Sequence, residues 1–141
     1  MQQKFTKIII KTEGQKLTEI TSQISQVLTT QVIENGLVTI YIKHTSASLI
    51  IQENADSDVL RDIENFFDKL VPMDESKYIH NSEGADDMPA HIKSLLTNTQ
   101  LSVPMKNKKL VLGTWQGIFL FEHRLEPVSY THLTLPTILL V

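Results

Sequence analysis

Five histidines and a group of acids are the side chains in this sequence that could hold a metal ion or move a proton. His44 is followed by three hydroxyls in the stretch His44-Thr45-Ser46-Ala47-Ser48, while His80 and His91 flank an acidic loop carrying Asp86-Asp87. Neutral imidazoles bind zinc, nickel, iron and copper, and imidazoles from separate elements can converge on one ion. His44, His80 and His91 are therefore the candidate metal ligands. Their spacing matches no local motif such as HExxH, so each also reads as an ordinary hydrogen-bonded histidine. Glu53, Asp56 and Asp58, then Asp86 and Asp87, form a second constellation, and Glu53, Asp56, Asp58 and His91 make up the candidate catalytic set. Carboxylate oxygens suit Mg²⁺ bridging phosphates, whereas an imidazole trio suits Zn²⁺, and the residue types alone do not choose between the two. The competing reading is local: carboxylates at a helix start satisfy orphan N–H groups and the dipole, which fits Asp56, Asp58 and an N-cap at Asp87.

The elements that must position these groups are led by residues 109–124, which read as one long strand with apolar residues on both faces. Such a strand requires cover on both sides, from a second layer or another subunit. Gly113 and Gly117 bracket Thr114, Trp115 and Gln116, marking a bulge or a close backbone approach. Thr114 and Gln116 inside an apolar layer need polar partners. With Thr45, Ser46 and Ser48 they are the candidate substrate-binding residues, and this stretch is expected to form a pocket wall.

Upstream, residues 5–12 read as a strand and 18–34 as a helix stopped by Asn35-Gly36. Residues 37–43 alternate as a strand, with His44 continuing the inward parity of Val38, Ile40 and Ile42. Residues 47–52 form the next strand, and 56–70 form an amphipathic helix with Val59, Leu60, Ile63, Phe66, Phe67 and Leu70 on one stripe. The polar stretch 73–88 is long for a compact domain and is expected to be functional or mobile. Pro89 opens a short helix to Leu96, and 101–103 adds a strand. The order predicts an α+β fold: a compact, mainly antiparallel, sandwich-like sheet with two to three helices.

Bulk properties narrow the classes of function. At 141 residues, 41% hydrophobic and 21% charged, the chain has the length and composition of one globular domain. A formal charge of −3 argues against a chain-wide nucleic-acid footprint. No cysteine is present, which removes disulfides, thiolate metal sites and a thiol nucleophile. No signal-peptide core or membrane-length apolar run is visible, so a cytoplasmic protein with no membrane partner is expected. No Gly-rich phosphate loop or nucleophile elbow is found.

Four segments together resemble the YjbQ-like family, whose members are often labelled secondary thiamine-phosphate synthases. They are the His44–Leu49 stretch, Gln52-Glu53-Asn54-Ala55-Asp56, Glu83 through His91, and Leu112-Gly113-Thr114-Trp115-Gln116 with the apolar residues after it. The resemblance runs from about Phe5 to Pro127. It implies a homotrimer and transfer of a hydroxymethylpyrimidine group from its diphosphate to a thiazole phosphate, with release of pyrophosphate. The family's recurring polar positions fall on His44, Glu53, Asp56, Asp58, His80, His91, Thr114 and Gln116. The partner is then a phosphorylated small molecule and the cofactor a divalent ion, Mg or Zn. Two alternatives use the same residues: a non-catalytic trimeric metal- or metabolite-binding protein, and hydrolysis at a His-bound ion. After Arg124 the chain departs from the family's basic, β-branched last strand. Residues 128–141 are expected to be a non-native tail, leaving a sheet edge open and making His132 irrelevant.

Overall fold

The computed structural model describes residues 2–126 and the backbone of Thr131–Ile138. The expected boundary of the tail and the side chain of His132 lie outside the described residues. Eight strands and three helices follow in the order β1 (Gln3–Ile10), β2 (Lys16–Glu19), α1 (Thr21–Thr29), β3 (Gly36–Ile42), β4 (Ala47–Glu53), α2 (Ser57–Leu70), α3 (Asp87–Leu96), β5 (Gln100–Lys106), β6 (Lys109–Leu110), β7 (Gln116–Glu122) and β8 (Thr131–Ile138). A 3₁₀ turn, Glu75–Lys77, interrupts the long loop before α3. The fold is α+β as expected, with two sheets whose described strand pairs are all antiparallel: β1-β8-β3-β5-β6 and β2-β7-β4.

The alternation of β3 explains the main core. Val38, Ile40 and Ile42 point inward with Val103 and Met105 of β5, meeting Leu49 of β4 and Ile118 and Leu120 of β7 from the other sheet. Ile24 and Leu28 of α1 join the same cluster. The opposite parity of β7 sends Phe119 and Phe121 to the far face of the three-stranded sheet, where Leu60, Ile63 and Phe67 of α2 cover them. Phe67 meets Phe121 edge-to-face at a centroid separation of 5.5 Å, a favoured aromatic geometry. The two-sided apolar strand is thus covered within one chain, by a sheet on one side and a helix on the other.

Three expectations are corrected. The single strand over 109–124 is broken: β6 ends at Leu110 in the five-stranded sheet, and β7 begins at Gln116 in the three-stranded one. The small-polar segment is the crossover between sheets, and Gly117 is the close approach, since a Cβ there would lie 2.6 Å from Glu19 Oε1. The helix expected over 18–34 is shorter. Residues 16–19 pair with β7 instead, and the Ile20 N–H bonds the Ile118 carbonyl at 2.8 Å, so α1 starts only at Thr21.

The third correction concerns the sheet edge. No opening is left by the C-terminal segment, because β8 lies between β1 and β3. Its ladder to β3 is registered at Leu37, Val38, Tyr41 and Ile42 but skips Thr39 and Ile40, which stand opposite Pro136 and Leu135. A proline has no N–H to donate to a neighbouring strand, which accounts for the interruption.

Candidate functional site

The start of α3 builds a compact polar centre. Asp87 and His91 are four residues apart on one helix and therefore share a face. His80, at the end of the long loop, completes a group in which one ligand atom from each of the three residues lies within 4.8 Å of the others. His80 Nε2 stands 2.7 Å and His91 Nε2 3.5 Å from Asp87 Oδ2. Asp87 is buried, His91 half-buried and His80 exposed, so the group opens to solvent on the His80 side.

Outer contacts hold these side chains in place. His91 Nδ1 lies 3.0 Å from the Thr45 carbonyl, which can only accept, so Nδ1 carries a proton and Nε2 is the ring nitrogen turned toward Asp87. A ring nitrogen anchored to a carbonyl is the usual support for a metal-binding histidine. The Arg124 guanidinium donates through Nη1 to Asp87 Oδ1, through Nε to Asp86 Oδ2 at 3.0 Å and through Nη2 to the Glu83 carbonyl at 3.1 Å. Asp87 thus keeps Oδ2 turned to the histidines. Burial alone would raise the Asp86 carboxyl pKa, but the Leu125 N–H and Arg124 outweigh it and hold that group below the usual range. Two imidazoles and one anchored carboxylate oxygen form a chemically coherent donor set for a divalent ion.

The remaining expected residues separate. His44 is absent from the converging group; its Nδ1 faces the Ser46 N–H at 3.1 Å and the Ser46 hydroxyl at 3.3 Å. Thr45 contributes its carbonyl, not its hydroxyl, through the contact to His91. Ser46 and Ser48 are buried, and Ser48 Oγ is engaged with His123 Nε2 at 2.8 Å and Thr97 Oγ1 at 2.6 Å. Asp56 is a helix cap, accepting from the Asp58 N–H at 2.8 Å, and Asp58 pairs with Arg61 at 2.9 Å on the surface. The capping reading is realised at Asp56, and Asp58 lies in the first turn of α2. Asp87 is not the N-cap of α3, which is Asp86. The Asp87-x-x-x-His91 spacing was the available signal for its pairing with His91; nothing in the sequence singled out Arg124.

Glu53, Thr114 and Gln116 line a cavity of about 500 Å³ with Ile51, Gly113 and Trp115. It adjoins the far end of β4, while Thr45, before the strand's start, touches His91. Those ends lie roughly 20 Å apart at about 3.3 Å per residue. The site expected from the sequence is therefore two sites: an imidazole-carboxylate centre and a cavity.

The α+β arrangement of two small antiparallel sheets and three helices is the fold of one family of small proteins. Residues 6–134 match the family described as UPF0047 protein YjbQ-like, and the chain belongs to it. It is 52% identical over 120 residues to UPF0047 protein sll1880 of Synechocystis, covering 85% of this chain and 82% of that one. It is 36% identical over 111 residues to UPF0047 protein YugU of Bacillus subtilis, covering 79% and 82% respectively. A solved YbjQ-like protein of unknown function from Sulfolobus solfataricus superposes with a TM-score of 0.87 at 28% identity, covering 96% of each chain. These comparisons correct the expected activity. The match is to a distinct family, none of these relatives' names carries a thiamine-phosphate synthase activity, and the pyrimidine-transfer reading does not stand. Among the described residues, no helix is long and apolar enough to cross a membrane.

Proposed function

We propose that the protein is a divalent-metal-binding protein in which His80, Asp87 and His91 hold the ion and present its open side to a small-molecule ligand. The observation that carries this reading is the convergence of the three ligand atoms within 4.8 Å. The prior anchoring of Asp87 by Arg124 and of His91 by the Thr45 carbonyl supports it. Imidazole donors favour Zn²⁺ or a similar ion over Mg²⁺. The ligand is expected to be anionic, and a phosphorylated metabolite fits the charge an exposed divalent ion offers.

Competition with a chromophoric chelator tests the proposal on the metal-stripped protein. One Zn²⁺ per chain is expected, with binding lost in His91→Ala and Asp87→Asn. Unchanged affinity in both variants would overturn it. A second reading, hydrolysis, draws on the three-donor set, because an ion with three protein ligands keeps room for water and lowers its pKa toward neutrality. Turnover of a phosphate monoester that requires Zn²⁺ and disappears in His91→Ala would select this reading. A homotrimer is proposed as the working unit, supported by Phe5, Ile9 and Tyr41 standing exposed on the five-stranded sheet. Light scattering should then give three times the 16.0 kDa chain mass.

A further inference from the structure

The cavity at the far end of β4 has a chemistry of its own. Trp115 is 66% exposed beside it, an unusual position for an indole that no core requires. The loop presenting it is tightly held. The Asn54 N–H bonds the Trp115 carbonyl at 2.9 Å, the Gln116 N–H bonds the Gly113 carbonyl at 3.0 Å, and the Gly113 N–H bonds Gln116 Oε1 at 2.8 Å. A Cβ at Gly113 would meet Gln116 Oε1 at 3.3 Å, so a side chain there would crowd this closed turn. The ring is thus held out on a fixed loop.

Across the same cavity, Glu53 is half-buried and its carboxylate has no hydrogen-bond or ion-pair partner among the described residues. Ile51 adds an apolar wall, and Thr114 and the unengaged amide nitrogen of Gln116 supply the polar rim. An indole face attracts a cation through its quadrupole, most strongly where water is partly excluded, and an unpaired carboxylate attracts it through charge. A volume of about 500 Å³ accommodates a small organic molecule.

We infer that this cavity is a second binding site, separate from the imidazole-carboxylate centre, and that it takes an organic cation: an ammonium group on a compact apolar body, seated between Trp115 and Glu53. Trp115 is the sole tryptophan of the chain, so its emission reports the site directly.

The test is a fluorescence titration of the full-length protein, stripped of metal, with choline and with its neutral isostere 3,3-dimethylbutan-1-ol. Saturable quenching by choline is expected, with the isostere binding about tenfold more weakly or worse. Glu53→Gln should lose that preference at an unchanged melting temperature, and His91→Ala should retain it. Equal affinity for choline and the isostere would overturn the proposal. So would an absence of saturable change. So would a Trp115 emission that is already shielded from acrylamide and becomes accessible on dilution, because a second copy would then be the cavity's occupant. The metal proposal is read on different residues with a different probe, so either can fail without the other.

Discussion

Arg124 shows how one side chain can govern a centre through its contact with a single member, Asp87. It fixes Asp87 Oδ1 and Asp86 together, so the orientation of the carboxylate depends on its planar, forked geometry. Lysine keeps the charge but not the fork. Arg124→Lys is therefore expected to weaken the proposed Zn²⁺ binding by about 10- to 100-fold, the usual cost of losing an outer-shell partner, as measured by chelator competition. His123 makes a different prediction. It is fully buried, its Nε2 meets Ser48, and its Nδ1 has no partner. Burial first, and the Lys93 ammonium second, push its pKa from 6.5 down to about 3. Below about pH 6.5 the unfolded chain takes up a proton that the folded chain refuses. The stability linked to this group is complete above that pH and is lost as pH falls toward 3. In His123→Phe, the decline of melting temperature between pH 6.5 and pH 4 should flatten, as followed by circular dichroism. At this scale the sequence revealed the residue types but not their company. His80 and His91 stood out because imidazole is rare and versatile. Arg124 was hidden because it lies 37 positions from its carboxylate partner.

Among the elements, α2 and α3 are joined by an asymmetric ion pair. Lys93 is fully buried, Asp68 is half exposed, and they meet at 2.6 Å. Removing the acid leaves a buried ammonium without a counter-charge, whereas replacing the lysine by an apolar chain of similar length removes the problem. Asp68→Ala should cost about 3 kcal/mol, and Lys93→Met should cost far less, in urea unfolding of the two variants. The β5–β6 hairpin offers a gain. Asn107 and Lys108 both have positive φ, at 51° and 60°, the pattern of a tight turn that favours glycine in its second position. Lys108→Gly should stabilise by about 0.5–1 kcal/mol by relieving the left-handed strain, because its N–H contact to the Glu34 carbonyl is kept. The elements most legible in advance were β3 and α2, although of the stripe expected on α2 Leu60, Ile63 and Phe67 face the core while Phe66 and Leu70 stand exposed. Residues 16–19 and 111–115 were misread for a common reason. Each lies where the chain changes layer, and pairing with a distant strand or turn overrides the local pattern there.

For the whole molecule, the two-sheet core was inferable from strand alternation, but the pairing order was not, because register and neighbour choice leave no trace in local periodicity. The five-stranded sheet depends on β8, which alone connects β1 to β3. A chain ended at Glu126 should retain the β2-β7-β4 sheet with α2 but lose β1 from the assembly. Protection of amide hydrogens in Gln3–Ile10 against exchange should then vanish, while that of Gln116–Glu122 persists. Equal protection of Gln3–Ile10 in both forms would show that another strand had taken β8's place.

That dependence also sets a timetable. During synthesis β1 emerges before the other described strands, yet its partner strand follows all of them, so Gln3–Ile10 must wait with its backbone groups paired only to water until β8 is made. Its pattern of Phe5, Ile8, Ile9 and Ile10 is adhesive in that interval. Lys4 and Lys7, interspersed along the strand, place charge where a nascent strand would otherwise pair with the wrong neighbour.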